Sequence, residues 1–341
     1  MSDTQPALST FEWTPPSAGL AESDPHGSLA ERLQPACEDR GASAAEVVRR
    51  VCRDVHSWLC AEERPDEGIA TSLRGELTEL FEAQGWRGPV ACLRDALEAV
   101  EARVPDDGGP ALREALATEC SYWLETTESV QQPGWPDGPP RVRLPDRSEC
   151  ARPLLEGPHG VEAGETILVH GWSETVARGV ELAMARGLAP EVIVSEGGPD
   201  LGGRRLARRL VASGATVRFV YDAALVEAVR RADRVWLGTE AIGARGLLGR
   251  VGTRALLERA RDLDVPSAVL ATSDKLVPGG DLVLPEWPAD EPWHLWEGAP
   301  RDVHVESQSF EVVPLDLVDL FATDLGALGP AEFAVQALRT G

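Results

Sequence analysis

Thr166-Ile167-Leu168-Val169-His170-Gly171 and Glu191-Val192-Ile193-Val194-Ser195-Glu196-Gly197-Gly198 decide the fold of this chain. Each is a short apolar run that stops at glycine, and an amphipathic segment through Val176, Val180, Leu182 and Met184 separates them. The unit recurs downstream. A helix from Arg204 to Ala212 leads to the run Thr216-Val217-Arg218-Phe219-Val220, and a helix from Ala223 to Arg230 follows it. Arg234-Val235-Trp236-Leu237-Gly238 leads through a loop to a helix from Thr253 to Leu263, and Ser267-Ala268-Val269-Leu270-Ala271 closes the series. Unbroken apolar runs of this length are strands buried on both faces. Their alternation with helices predicts a parallel sheet covered on both sides.

The segment 161–341 therefore reads as a Rossmann-like α/β domain. Ligands of such sheets sit beyond the carboxyl ends of the strands. Those ends are His170-Gly171-Trp172-Ser173, Glu196-Gly197-Gly198-Pro199-Asp200, Tyr221-Asp222 and Thr239-Glu240-Ala241. Upstream, segment 28–128 reads as a small helical domain. Ala45, Val48, Cys52, Val55 and Leu59 recur at helical spacing, with Ser43 as N-cap and Glu46 completing a capping box. Leu73, Leu77, Leu80 and Phe81 mark a second helix, and Val90, Leu93, Leu97 and Val100 a third. Pro105 to Pro110 stops that helix, and a fourth runs through Leu116 and Trp123. Residues 1–27, rich in Pro, Ser and Asp, read as a flexible tail, and 129–160, dense in Pro and Gly, as an interdomain connection. Trp287, Trp293 and Trp296 stand among Pro285, Pro288 and Pro292, either covering a sheet edge or forming a partner surface.

Composition narrows the classes. Acidic residues outnumber basic ones 56 to 33, for a formal net charge of −23, and Lys275 is the only lysine. Adaptation to high salt accounts for both facts, because screening within about 3 Å at 1 M removes carboxylate repulsion. A GC-rich genome accounts for the missing lysine alone. The charge balance argues against direct nucleic-acid binding, and no apolar stretch approaches the ~20 residues of a membrane span. With no secretory signal, a cytoplasmic location is expected. The six cysteines, Cys37, Cys52, Cys60, Cys92, Cys120 and Cys150, form no C-x-x-C pair and read as buried free thiols on helices. No metal site and no cofactor are expected.

The strand-end motifs resemble the alpha, beta and delta subunits of eukaryotic translation initiation factor 2B. They also resemble that family's enzyme relatives, the ribose-1,5-bisphosphate and methylthioribose-1-phosphate isomerases. The resemblance runs from about Glu165 to Gly341. It comprises Ile167 to Val176, Ser195 to Gly203, Tyr221 to Ala224, Leu237 to Ile242, Arg250 to Thr253, Phe310 to Pro314 and Thr323 to Gly326, in the family's order. It implies a dimer or an oligomer of paralogues. The isomerases carry a cysteine after the first strand and an aspartate after the fourth. Here Gly171 and Glu240 stand at those positions. The isomerase arginine before the loop proline is Gly198, and the Asn-Lys pair is Gly249-Arg250. These departures look like those of the noncatalytic branch.

Candidate ligand-binding residues are accordingly Gly171, Ser173, Gly197, Gly198, Arg204, Asp222, Glu240 and Arg250. Most have a plainer role: Ser173 and Asp222 as helix caps, Gly197 and Gly198 as turn formers, Arg204 as a solvated charge, Glu240 as a loop anchor. One reading is a noncatalytic regulatory or scaffold protein that binds a phosphorylated small molecule. The other is a divergent sugar-phosphate isomerase using Glu240 and Asp222. A dinucleotide-dependent oxidoreductase is disfavoured, since no G-x-G-x-x-G follows the first strand. The salt reading has a direct check: the melting temperature should rise by several degrees between about 0.1 M and about 2 M KCl. A flat or falling curve rules it out.

Overall fold

The computed structural model describes residues 28–38, 42–61, 68–85, 87–104, 109–125, 149–156, 159–277, 282, 295–296, 299–306 and 308–339. The tail at 1–27, most of the connection at 129–160, Trp287 and Trp293 lie outside the described residues.

Five helices come first: α1 (Leu29–Glu38), α2 (Ala44–Leu59), α3 (Ile69–Gln84), α4 (Gly88–Arg103) and α5 (Gly109–Glu125). The capping box at the start of α2 forms. Ser43 Oγ accepts from the Glu46 N–H at 3.3 Å, and the Glu46 carboxylate accepts from the Ser43 N–H at 2.8 Å. The buried stripe of α2, including Val48, Val51, Cys52, Val55 and Trp58, shares one core with Leu112, Leu116, Cys120 and Trp123 of α5 and with the apolar faces of α3 and α4. All six cysteines are free, and Cys52, Cys120 and Cys150 are buried. The expectation of uniform burial fails at Cys60, which is exposed where α2 ends, and at Cys37 and Cys92, which are half-buried.

A 3₁₀ turn at Glu149–Ala151 and the short α6 (Pro153–Glu156) lead into β1 (Thr166–Val169), α7 (Glu174–Ala185), β2 (Glu191–Ser195), α8 (Gly202–Ala212), β3 (Thr216–Val220), α9 (Asp222–Ala228) and β4 (Arg234–Leu237). Then come β5 (Ala241–Ile242), β6 (Gly246–Arg250), α10 (Thr253–Asp262), β7 (Ser267–Leu270), β8 (Phe310–Pro314), β9 (Leu320–Thr323), β10 (Gly326–Leu328) and α11 (Pro330–Arg339). The main sheet has the order β10-β9-β7-β4-β1-β2-β3. Every neighbouring pair is parallel except β9 with β10. The chain builds outward from β1 to β3, then returns to the other side of β1 at β4. The reversal leaves a crevice over the carboxyl ends of β1 and β4.

Alternate residues of the same strands serve two cores. Ile167, Val169, Val192, Val194 and Trp236 pack under α7 and α8 with Val176, Val180, Leu206 and Leu210. Leu168, Ile193, Val235, Leu237 and Val269 pack under α9, α10 and α11 with Leu225, Leu256, Leu257 and Phe333. One part of the expectation is overturned. Residues 241–250, read as a loop, form β5 and β6, which pair antiparallel, and β8 joins β6 in a separate three-stranded sheet. The partner strand lies some sixty residues downstream (Leu248 opposite Val312), so no local periodicity could announce it. Trp296 is exposed.

The sheet-to-helix turn after β2 depends on Gly203, where an added Cβ would fall 1.6 Å from the Ser195 carbonyl oxygen. Gly187 after α7 has φ +76° but open space around it. Gly203→Ala should therefore cost about 3 kcal/mol or more, beyond ordinary overpacking, whereas Gly187→Ala should cost only the left-handed backbone penalty of about 1–2 kcal/mol. Urea unfolding of the two variants checks the ranking, and equal losses would refute it.

Candidate functional site

The strand-end turns supply a narrow cleft of about 30 Å³. Its walls carry His170, Trp172, Ser173, Glu174 and Thr175 after β1, Gly238, Thr239 and Glu240 after β4, Arg250 at the end of β6, Thr253 beyond it, Lys275 after β7, and Phe310. Ser43 and Ala45, at the N-terminal end of α2, line it as well. Three helix N-termini, those of α2, α7 and α10, thus contribute lining residues. Their partial positive charges favour an anion.

His170 anchors the floor. Its Nε2–H donates to the Val251 carbonyl at 2.9 Å, which leaves Nδ1 to accept from Ser195 Oγ–H at 2.7 Å. Ser195 Oγ in turn accepts from the Gly171 N–H at 3.3 Å. Burial lowers the imidazole pKa below its ordinary value, outweighing the Val251 hydrogen bond and the charge of Asp222, which act upward. The ring is a neutral strut between β1, β2 and the turn after β6.

Two cations face the cleft differently. The Arg250 guanidinium is paired with Asp200 through Nη2 and lies 4.6 Å over the Phe310 ring. Its Nη1 is buried with no hydrogen-bond partner. Lys275 is only 6% exposed, and its Nζ lies 3.8 Å from Glu240 Oε2. Glu240 is fixed through its backbone, its N–H donating to the Leu248 carbonyl and its carbonyl accepting from the Gly88 N–H of α4, each at 3.1 Å. Thr239 Oγ1 lies within hydrogen-bond distance of the carbonyls of Ala241 and Leu248, holding the same turn.

The helical region reaches the cleft rim through charges on α2. Glu46 pairs with Arg205 of α8, whose guanidinium stacks 4.0 Å over Trp172, and Arg49 pairs with Glu174 at 3.0 Å. Burial acts to raise the Glu46 pKa, but hydrogen bonds from Arg205 and from Ser43 outweigh it and the net shift is downward. Glu46 stays ionised.

Of the residues expected from sequence, Ser173, Glu240 and Arg250 line the cleft together. Gly171, with φ +66°, backs it, and an added Cβ there would touch Arg250 Cγ at 3.4 Å. Ser173 is the N-cap of α7, accepting from the Val176 N–H. Asp222 does not cap α9 through its side chain. It grips the glycine loop, accepting from the N–H groups of Gly197 at 2.8 Å and Gly198 at 2.7 Å. Gly197 and Gly198 are thus bound inward, and the Gly198–Pro199 peptide is cis. Arg204 pairs with Glu196 at 3.2 Å and stands outside the cleft lining. The sequence reading missed Thr253, Ser43, Ala45 and Lys275 as lining residues. For Lys275 the signal was present, since it is the one lysine in the chain. Among the described residues, no group of His, Cys, Asp and Glu could hold a metal, and no helix is long and apolar enough to cross a membrane.

Comparison with known proteins places the chain in a definable class. Residues 149–330, more than half of the chain, match the Initiation factor 2 subunit family, and the chain belongs to that family. The ribose 1,5-bisphosphate isomerase of Archaeoglobus fulgidus is 28% identical over 183 residues, covering 51% of this chain and 57% of that protein. The translation initiation factor eIF2B subunit alpha of Dictyostelium discoideum is 27% identical over 191 residues, 52% of this chain and 60% of that protein. The chain thus matches little more than half the length of these relatives. Among solved structures, the translation initiation factor eIF-2B of Pyrococcus horikoshii OT3 superposes with a TM-score of 0.68 at 20% identity, covering 89% of this chain and 97% of that one. The 5-methylthioribose 1-phosphate isomerase of the same organism gives 0.67 at 15% identity, covering 92% and 88%. At such identities the likeness is one of fold.

The neutral histidine generates a pH prediction. Its folded pKa lies below the unfolded value of about 6.5, so below that pH the unfolded chain binds more protons and stability falls as pH falls. Between about pH 7.5 and pH 5, wild-type unfolding free energy should drop more steeply than that of His170→Gln, by up to about 1.4 kcal/mol per pH unit. Parallel curves would show that His170 is not the titrating strut.

Proposed function

We propose that this chain is a noncatalytic, initiation-factor-2B-like regulatory or scaffold protein whose Rossmann-like α/β domain binds a phosphorylated metabolite in the cleft above β1 and β4. The carrying observation is Gly171. The position that resembles the isomerase cysteine has no side chain, a left-handed backbone and Arg250 lying against it. No thiol takes over that role. Cys150 is buried and is not among the residues that line the cleft. Cys92 lies behind Lys275, its Sγ 3.6 Å from the Asp274 carbonyl, and burial, together with Asp274 and Asp95, pushes its pKa up to about 12. A thiol so shifted is inert at neutral pH.

The helix N-termini and the Arg250 Nη1, buried without a hydrogen-bond partner, support an anionic ligand. The strand order, which reverses at β1, supports the Rossmann-like assignment. A tetrameric complex of beta and delta subunits from C. thermophilum, which superposes at a TM-score of 0.60 with 16% identity, supports a dimer or paralogue oligomer. So do the exposed Phe219 and Tyr221 at the edge strand β3. The acid excess supports a cytoplasm of high salt.

One observation favours the isomerase reading instead. Glu240 keeps a buried Oε2 with no hydrogen-bond partner beside an ammonium, as a proton-transferring carboxylate would. A single experiment separates the two. In molar KCl the protein is incubated with ribose 1,5-bisphosphate or 5-methylthioribose 1-phosphate, and aldose–ketose conversion is followed by NMR beside thermal unfolding. The expected result is no conversion, a raised melting temperature, and loss of that rise in Arg250→Gln. Conversion that disappears in Glu240→Gln would overturn the proposal in favour of an isomerase.

A further inference from the structure

We propose that a groove between α3 and α4 seats the aromatic stretch Phe11-Glu12-Trp13 of the same chain.

The groove belongs to the helical region and shares no lining residue with the strand-end cleft. Its volume is about 270 Å³, and its floor is apolar: Leu73, Leu77 and Phe81 of α3 with Leu97 of α4. The three leucines are already buried in the helical core, whereas Phe81 is half-buried and leaves ring surface open to the groove. An apolar floor inside a charged rim suits a short peptide with bulky apolar anchors.

The chain brings such a segment to the spot. Residues 1–27 precede Ser28, where the described residues begin, and Phe11 and Trp13 are their only Phe, Trp or Tyr residues. The point of attachment is fixed on the wall of the groove itself. At the start of α1 the Ala30 N–H donates to Glu76 Oε2 at 2.7 Å, and Glu76 stands on α3 between Leu73 and Leu77. Trp13 lies fifteen positions before Ser28 (13 to 28), a reach of about 50 Å at full extension. A helix with its side chains is only about 10–12 Å across, so the segment can pass around α3 with length to spare.

Tethering favours this occupant over an outside one. A segment attached so near its seat has an effective concentration on the order of 1 mM. A free partner at about 1 μM would need an affinity about a thousandfold higher to displace it. Side-chain direction fits as well. In an extended segment alternate side chains face one way, so Phe11 and Trp13 enter together while Glu12 points to water. Pro15 and Pro16 just beyond favour that extended backbone. This alternation matters because the rim carries Glu82, Glu98 and Glu101 against Arg74 and Arg94. A carboxylate driven inward would meet more like charge than opposite.

Photocrosslinking of the full chain tests the seat. With p-benzoylphenylalanine in place of Trp13, irradiation in molar KCl and peptide mapping should join position 13 to residues 73–82 and 94–101. Thr78 lines the groove and is exposed, so Thr78→Arg blocks the mouth and should cut that yield at least about fivefold. Crosslinks elsewhere in the chain overturn the proposal, as does a yield that Thr78→Arg leaves unchanged. Mixing isotope-labelled and unlabelled chains separates crosslinks within one chain from those between two; crosslinks formed only between chains overturn it and give the groove to a second copy. Amide hydrogen exchange supplies a second measurement. In the double variant Phe11→Ser with Trp13→Ser, exchange across 73–82 and 94–101 should speed at least about threefold while α2 and α5 keep their wild-type rates. Unchanged exchange in α3 and α4 refutes the seating, and so does equal acceleration in all four helices. No phosphate ligand enters either measurement, so the outcome does not bear on the occupant of the cleft.

Discussion

The turns after β1 and β2 touch through bare main chain. A Cβ on Gly197 would lie 2.9 Å from Gly171 Cα and 3.0 Å from the Gly203 nitrogen, and both Gly171 and Gly197 have positive φ. That contact draws the glycine loop over β2 so that Asp222 can take two of its N–H groups, and it sets Ser195 where His170 can use it. The same absence of side chain lets the Arg250 stem pass over Gly171. The bare turn and the passage of the Arg250 stem over it are therefore one structural fact. A cysteine at 171 would have to adopt a left-handed backbone with its Cβ against the Arg250 stem.

Charge around the cleft is balanced group by group. Arg250 leans on Asp200, Arg49 on Glu174 and Arg205 on Glu46, while His170 is kept neutral by burial. In a chain with formal charge −23 this matters. An anionic ligand approaching at low salt meets a repulsive field, and only the local cations and helix ends draw it inward. Salt screens the distant carboxylates over a few ångströms but leaves the buried pairs nearly untouched. High ionic strength thus weakens the obstacle more than the site.

The sequence carried the central strands and the helices on them because each is a local signal: an apolar run, a glycine stop, a stripe at helical spacing. The capping box at Ser43 and Glu46 was legible for the same reason. What stayed hidden was non-local. The small sheet exists because Leu247 and Leu248 find Val313 and Val312, and nothing in either segment names its partner. The roof of the cleft was hidden for the same reason, since Ser43 and Ala45 reach it only through tertiary docking of α2. At the strand ends, Ser173 and Glu240 could be named in advance because topology puts them there, whereas Arg250, on the strand that stayed hidden, was named only through the family resemblance. Arg204 could not be separated from them, because whether an arginine turns inward depends on its acidic neighbour, here Glu196.

Glu46 and Arg49 sit three positions apart on α2, about 4.5 Å along the axis, and carry opposite signs toward opposite partners, Arg205 and Glu174. This arrangement works as a polarity key. Sliding α2 by one turn toward α7 would set carboxylate against carboxylate, and the reverse slide guanidinium against guanidinium. Only one seating of the helix satisfies both ends. The ceiling over the crevice is therefore positioned by sign as well as by shape.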